Sequence, residues 1–280
     1  MTSLTLNAPA KVNYLLDVIR RRPDGYHELR MIMQRVNLCD DISLTLTDLP
    51  VISVTCDAGG VPDGPGNIAW KAAKVMLELS GRGCGVSIRI TKRIPVAAGL
   101  GGGSSDAATV LMGMNDLLGL GLECQGLMEL GLKLGADVPF FIFKETALAE
   151  GVGEKLTPMP AMPQAWILLV NPGVHVSTAW VYRSLELTKE RILASIPMTF
   201  RTVNDIAAIF SNDLETVTIP AFPVIDEIKK RMMKLGAAAS MMSGSGPTVF
   251  GLFADKGSAE NACEQFSENT EWIAVVAETL

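Results

Sequence analysis

Pro95, Val96, Ala97, Ala98, Gly99, Leu100, Gly101, Gly102, Gly103, Ser104 and Ser105 form an unbroken run of mostly small residues, and its flanks decide how the chain is built. Before it, Val86-Ser-Ile-Arg-Ile-Thr91 alternates apolar and polar residues, the period-two signature of a strand. After it, Ala107, Leu111, Met114 and Leu118 recur at helical spacing, which places the start of a helix at Ser104 or Ser105. Strand, glycine loop and helix in that order make a phosphate site. Glycines admit positive φ and close approach, so successive N–H groups form an anion-binding nest. The helix N-terminus adds unpaired donors and a partial positive charge. No Gly-Lys-Ser/Thr closes the loop, so it is not a Walker A site. The polar strand face of Ser87, Arg89 and Thr91 is unlike the buried first strand of a dinucleotide fold. A plain turn with a serine-capped helix is the competing interpretation, and three consecutive glycines followed by two serines weigh against it.

Working outward, Leu4 to Ile19 reads as extended, with Pro9 limiting it to an edge or a break. On a strand from Lys11, Lys11 and Asn13 share one face while Val12 and Tyr14 share the other. Pro23-Asp-Gly25 is a turn, followed directly by Tyr26 and His27. Ile42–Leu46 and Val51–Thr55 are further strand candidates. Asn67, after the loop Pro62-Asp-Gly-Pro-Gly66, sits at a helix N-cap position, and Ile68, Val75 and Leu79 follow at helical spacing. A second helix is expected over Gly126–Leu134, ending at Gly135-Ala-Asp-Val-Pro139. The proline-rich run Leu156–Pro163 suits a junction between domains 1–158 and 159–280. Beyond it come a strand at Ile167–Val170, helices near 178–186 and 224–235, and strands at Thr248–Phe253 and Trp272–Ala277. Ser243-Gly-Ser-Gly-Pro-Thr248 is a second small-residue loop, serving phosphate or a tight turn.

With 280 residues, 48% of them hydrophobic, the chain can bury a substantial core without a disulfide or metal staple. Its apolar stretches are too short to span a bilayer. The first residues show no basic segment followed by an apolar one, so no secretory signal is read and a cytoplasmic location is expected. Five scattered cysteines without a CxxC pair support neither a disulfide framework nor a zinc site. A net charge of −6 argues against nucleic acid as a partner.

Three stretches resemble the GHMP kinase superfamily: Ala8-Pro-Ala-Lys-Val-Asn13, the loop from Pro95 into Ala108, and Ser243–Thr248. They occur in the family's order and frame nearly the whole chain. Arg22-Pro-Asp-Gly-Tyr-His-Glu-Leu29 and Leu134-Gly-Ala-Asp-Val-Pro-Phe140 narrow the resemblance to one branch. That branch phosphorylates the 2-hydroxyl of 4-diphosphocytidyl-2-C-methyl-D-erythritol in non-mevalonate isoprenoid precursor synthesis. The resemblance implies an α+β fold of two domains, a ribosomal-S5-like N-terminal half and a ferredoxin-like C-terminal half. It also implies ATP as phosphate donor, with Mg²⁺ arriving on the nucleotide, and a monomer or weak homodimer that binds no membrane.

By the same resemblance, Asp137 is the catalytic carboxylate and Lys11 its partner, keeping it ionised and stabilising charge on the reacting oxygen. Spacing alone favours Asp137 as a loop aspartate capping backbone N–H groups. Tyr26 matches the residue that stacks on cytosine and His27 the one that hydrogen-bonds its edge, though a histidine after a turn also suits plain surface. Tyr182 matches a second aromatic of that sandwich, a place for which Trp180 competes. Asn13 and Thr178 are expected at the erythritol diphosphate. Asn67 and Lys92 are expected at the nucleotide, an ordinary N-cap being the alternative for Asn67. No carboxylate cluster is dedicated to a metal; Ser105 offers a hydroxyl.

Overall fold

Ser3–Arg21 is one unbroken strand of 19 residues, β1, and Pro9 lies inside it without ending it. Nitrogens two residues apart face the same strand edge, and the Lys11 N–H on that edge donates to Leu100 O at 3.0 Å. β1 stays continuous from Ser3 to Arg21 despite the missing N–H of Pro9. Its neighbour in the sheet is β2 (His27–Thr47). Residues 2–187 and 195–280 are described by the structure, a computed structural model. They fall into two compact units through which β1 and β2 both run.

The first unit comprises residues 1–10, 38–96 and 101–144. Here β3 (Ile52–Cys56) pairs parallel with β4 (Gly85–Thr91), which pairs antiparallel with Asp41–Thr47 of β2. Helix α1 (Ile68–Ser80) packs on α2 (Gly102–Leu118), which also meets α3 (Cys124–Leu132) and α4 (Val138–Phe143). The α2 stripe of Ala107, Leu111, Met114 and Leu118 is buried as its spacing requires. Two expectations need correction. The inner face of α1 is Ala69, Ala72, Ala73 and Met76, whereas Leu79 is 54% exposed; alanines let two helices approach closely, and transfer hydrophobicity alone picks the wrong face. Helix α2 starts at Gly102, two residues before the serines, because Gly101 supplies the left-handed N-cap (φ 73°).

The second unit comprises residues 11–37, 97–100 and 145–280. Strand β5 (Ala147–Gly151) pairs antiparallel with Leu29–Met33 of β2 and with β6 (Lys155–Pro158). After β7 (Trp166–Asn171) come α5 (Thr178–Ser184), α6 (Val203–Ala207) and the two-residue β8 (Ser211–Asn212), parallel to β1 at Leu15 and Leu16. Then follow α7 (Glu215–Ala221), α8 (Val224–Lys234), β9 (Ala239–Met242), β10 (Val249–Phe253), α9 (Lys256–Ser267) and β11 (Ile273–Glu278). The order β11-β7-β10-β9 is antiparallel at every step, with α8 and α9 packed against it. This is the α+β architecture expected. All five cysteines are free thiols. Among the described residues no helix is long and apolar enough to cross a membrane.

Candidate active site

Alternation along β1 sets the polar heart of the second unit. Lys11 and Asn13 share a strand face, as period two demands, and Lys11 Nζ donates to Asn13 Oδ1 at 2.6 Å. Both are buried, Lys11 to 5% exposure, and Asn13 Nδ2 is held by Met31 Sδ at 3.6 Å. The middle of the first glycine loop reaches this strand through the Lys11 N–H bond to Leu100. Ala97, Gly99 and Gly101 all have positive φ (53°, 78° and 73°), which turns the loop sharply enough to present N–H groups. Gly99 cannot be replaced without strain, because a Cβ there would run into the carbonyl oxygen of Ser243.

The second glycine loop closes on the same place. Ser243 Oγ donates to Gly99 O at 2.9 Å. A Cβ on Gly244 (φ 57°) would lie 3.6 Å from Lys11 Nζ. The hydroxyls of Ser245 and Thr178 are 2.8 Å apart, tying this loop to the first residue of α5. The structure thus brings together Lys11, Asn13, Gly99, Leu100, Thr178 and the loop 243–248.

The aromatic group forms where the Pro23–Gly25 turn ends. Gly25 takes φ 88°, and Asp24 Oδ1 accepts from Tyr26 N at 3.1 Å. His27 lies against Tyr182, ring centroids 5.1 Å apart at 32°. Trp180 instead packs edge-on to Phe222, so it is Tyr182 that faces His27. Tyr26 projects outward with 65% exposure. Burial, then the charge of Arg21, lowers the His27 pKa. His27 is therefore neutral at physiological pH and can both donate and accept.

The first unit holds the exit of the glycine loop. The Ser105 N–H already bonds Gly101 O at 2.9 Å, and no side chain caps α2. Its first-turn N–H groups are the donors such a helix offers to an anion. Ser105 is fully buried and its hydroxyl has no hydrogen-bond partner. Gly135, two residues before Asp137, passes the same spot: a Cβ on it would lie 3.9 Å from Ser104 Oγ. Asp137 stands at the N-cap position of α4, with Pro139 opening that helix, yet its carboxylate does not cap it.

Lys92 and Asn67 are engaged inside the protein. Lys92 Nζ is paired with Asp40 and lies 2.9 Å from Asp106 Oδ2, all three side chains being buried. Burial opposes the lysine's charge, but Asp106 and Asp40 outweigh it and raise its pKa. Asp40 Oδ1 also accepts from the N–H groups of Arg93 and Ile94 at 2.6 and 2.8 Å, so this carboxylate fixes the entry to the glycine loop. Burial above all, with Asp40 adding to it against Lys92, pushes the Asp106 carboxyl up to about 7. Asn67 caps α1, accepting from Ala69 N at 2.8 Å and donating to Pro62 O at 2.8 Å. Asp40 escaped the sequence reading; its only signal was an acidic pair with Asp41 between Cys39 and Ile42, inside β2.

Comparison with known proteins gives consistent likenesses. The description "GHMP kinases N terminal domain" matches residues 67–145 and "GHMP kinases C terminal" matches residues 195–271. A 4-diphosphocytidyl-2-C-methyl-D-erythritol kinase of Pelobacter propionicus is 69% identical over the full length of both chains. A crystal structure titled 4-(cytidine 5'-diphospho)-2C-methyl-D-erythritol kinase superposes with TM-score 0.85 at 35% identity, covering 99% of each chain. Homoserine kinase from Cytophaga hutchinsonii superposes at 0.78 with 20% identity, covering 100% of this chain and 95% of the other, a likeness of fold.

Proposed function

The chain belongs to the GHMP kinases, and from that premise we propose how its residues share the phosphorylation of 4-diphosphocytidyl-2-C-methyl-D-erythritol. It is a small-molecule kinase of non-mevalonate isoprenoid precursor synthesis, with ATP as donor.

The observation that carries the division of roles is the meeting of Lys11 with both glycine loops. A buried ammonium beside two N–H-rich turns is a place where phosphoryl oxygens gather charge during transfer. Residues Pro95–Ser105 cradle the triphosphate, the orphan Ser105 hydroxyl gaining a partner as phosphate settles at the start of α2. The loop 243–248 closes on the same group. Asn67 and Lys92 serve the nucleotide indirectly, by fixing the start of α1 and the entry to the loop. Magnesium comes with ATP and keeps waters of its own. Among the described residues no group of three or more His, Cys, Asp or Glu side chains could hold a metal ion; the Ser105 hydroxyl is the protein oxygen that would be offered to it.

Asp137 orients the 2-hydroxyl of the acceptor and takes its proton, and Lys11 stabilises the charge on the reacting oxygens. Asn13 and Thr178 hold the diphosphate of the acceptor. Tyr26 stacks on its cytosine, Tyr182 completes the sandwich, and neutral His27 reads the base edge. The proposed domain boundary at 158/159 lies in the stretch between the two family matches.

A phosphoryl-transfer assay with the cytidylylated methylerythritol acceptor, run beside homoserine and mevalonate, tests the substrate. Turnover confined to the first is expected; equal turnover of homoserine or mevalonate would sink it.

A further inference from the structure

Asn212 has no place in the motifs above, yet it is the best-connected side chain near the second glycine loop. It is 7% exposed and every polar atom of its amide is used. Nδ2 donates to Met242 O and to Gly244 O, each at 2.8 Å, and Oδ1 accepts from Leu214 N at 3.0 Å. Its neighbours extend the grip. Asp213 N donates to Leu16 O at 3.0 Å, and Asp213 Oδ2 accepts from Val18 N at 2.6 Å. Glu215 Oε1 accepts from Met242 N at 2.8 Å while its other oxygen pairs with Lys229. From the end of β8 onward, Asn212, Asp213 and Glu215 hold both β1, the strand of Lys11, and the segment that leads into the loop at Ser243.

Peptide planarity gives this grip a direction. The Gly244–Ser245 bond is trans, the cis bond in this loop being Gly246–Pro247, so its C=O and N–H point opposite ways. Anchoring the Gly244 carbonyl on Asn212 aims the Ser245 N–H away from Asn212. Ser243 and Ser245, on either side of Gly244, are themselves tied to Gly99 and Thr178. Gly244, at φ 57°, lacks a side chain to steady its peptide and depends on that outside anchor.

We infer that Asn212 is a positioning residue for phosphoryl transfer, holding the carbonyls of Met242 and Gly244 so that the Ser245 N–H is presented to phosphate. This rests on the proposal that the loop 243–248 closes on phosphate beside Lys11. Asn212→Asp keeps the shape and the acceptor for Leu214 but removes both donors and sets a negative charge against two carbonyls. Asn212→Ser, which buries no charge, is the second variant.

A purely structural amide would lower the melting temperature and leave kcat of the folded enzyme alone. The expected result is different: kcat falls by roughly 10–100-fold, KM for the cytidylylated acceptor stays within threefold, and the circular dichroism spectrum is that of the wild type. A folded variant with kcat within threefold of wild type overturns the inference. Failure of both variants to fold also overturns it, making Asn212 a folding residue. Lys11→Ala separates the two levels: activity surviving there overturns the underlying reading, whereas an inert Lys11→Ala beside a wild-type-like Asn212→Asp overturns this inference alone.

Discussion

Lys11 Nζ is held 2.6 Å from Asn13 Oδ1, two side chains of one strand face, both buried. The amide fixes where the ammonium points, so the pair acts as a unit. Removing the charge with Lys11→Ala should lower kcat by about 10³-fold, the scale of losing a principal electrostatic group. Asn13→Ala should cost roughly 10–100-fold through misplacement. Steady-state kinetics on folded protein would read both, and an Asn13→Ala enzyme with wild-type kcat would break the proposed pairing.

Asp137→Asn keeps the size and shape of the side chain, so the fold and melting temperature should stay close to wild type. Turnover should drop by about 10³-fold or more, near the upper range for loss of general base catalysis. Turnover like that of wild type would remove Asp137 from the chemistry.

At the aromatic group, Tyr26→Ala and Tyr182→Ala should each raise KM for the cytidylylated acceptor and leave KM for ATP unchanged. Stacking of ~1–3 kcal/mol per base corresponds to about 5–150-fold. Equal effects on both substrates would count against a cytosine sandwich. Since the His27 pKa is lowered by burial and Arg21, the neutral ring persists through neutrality and is lost only in acid. Acceptor affinity should therefore weaken as pH falls below the ordinary histidine range, and in His27→Gln that acid limb should flatten.

Asp106 makes a prediction about stability. Its folded pKa of about 7 lies above the usual carboxylate value, so over the window from about 4 to 7 the folded state holds a proton that the unfolded chain releases. The contribution of Asp106 to stability then declines as pH rises through that window and levels off above it. Asp106→Asn lacks the titration, and its melting temperature relative to wild type should climb from pH 5 to pH 8. Parallel melting curves at the two pH values would show that Asp106 is not protonated in the fold.

Gly99→Ala should destabilise by about 1–3 kcal/mol, for its φ of 78° and for the collision with Ser243. KM for ATP should rise with it, as the two glycine loops part. Thermal melts and an ATP titration would decide, and unchanged values in both would mean that the loops are not locked at this point.

How far the sequence reached differs by residue. Lys11 and Asn13 were legible because strand alternation is a local rule, and Asn67 because N-cap chemistry acts over two residues. The true start of α2 was hidden: Gly102 and Gly103 are poor helix formers that stand in the first turn once Gly101 turns the chain. Helix α4 was missed because Val138–Phe143 is short and apolar all round, with no period to read. Asp106 was visible as a residue, but its protonation depends on Asp40 and Lys92, which lie on other elements. Asn212 belongs to a strand of two residues; the carbonyls its Nδ2 holds lie 30 and 32 positions on, and the Val18 N–H that Asp213 accepts lies 195 back. Nothing local could announce it.

The bond from Ser243 to Gly99 spans 144 residues of sequence. A ribosome delivers the first glycine loop long before the second, and strand β1 earlier still. Until the segment after β9 has emerged, Lys11 and Gly99 lack the turn that lies against them, so this corner of the fold closes late in synthesis. On the proposed reading, a chain ending between Ser105 and Ser243 would keep its first phosphate loop and lack the turn that closes on it.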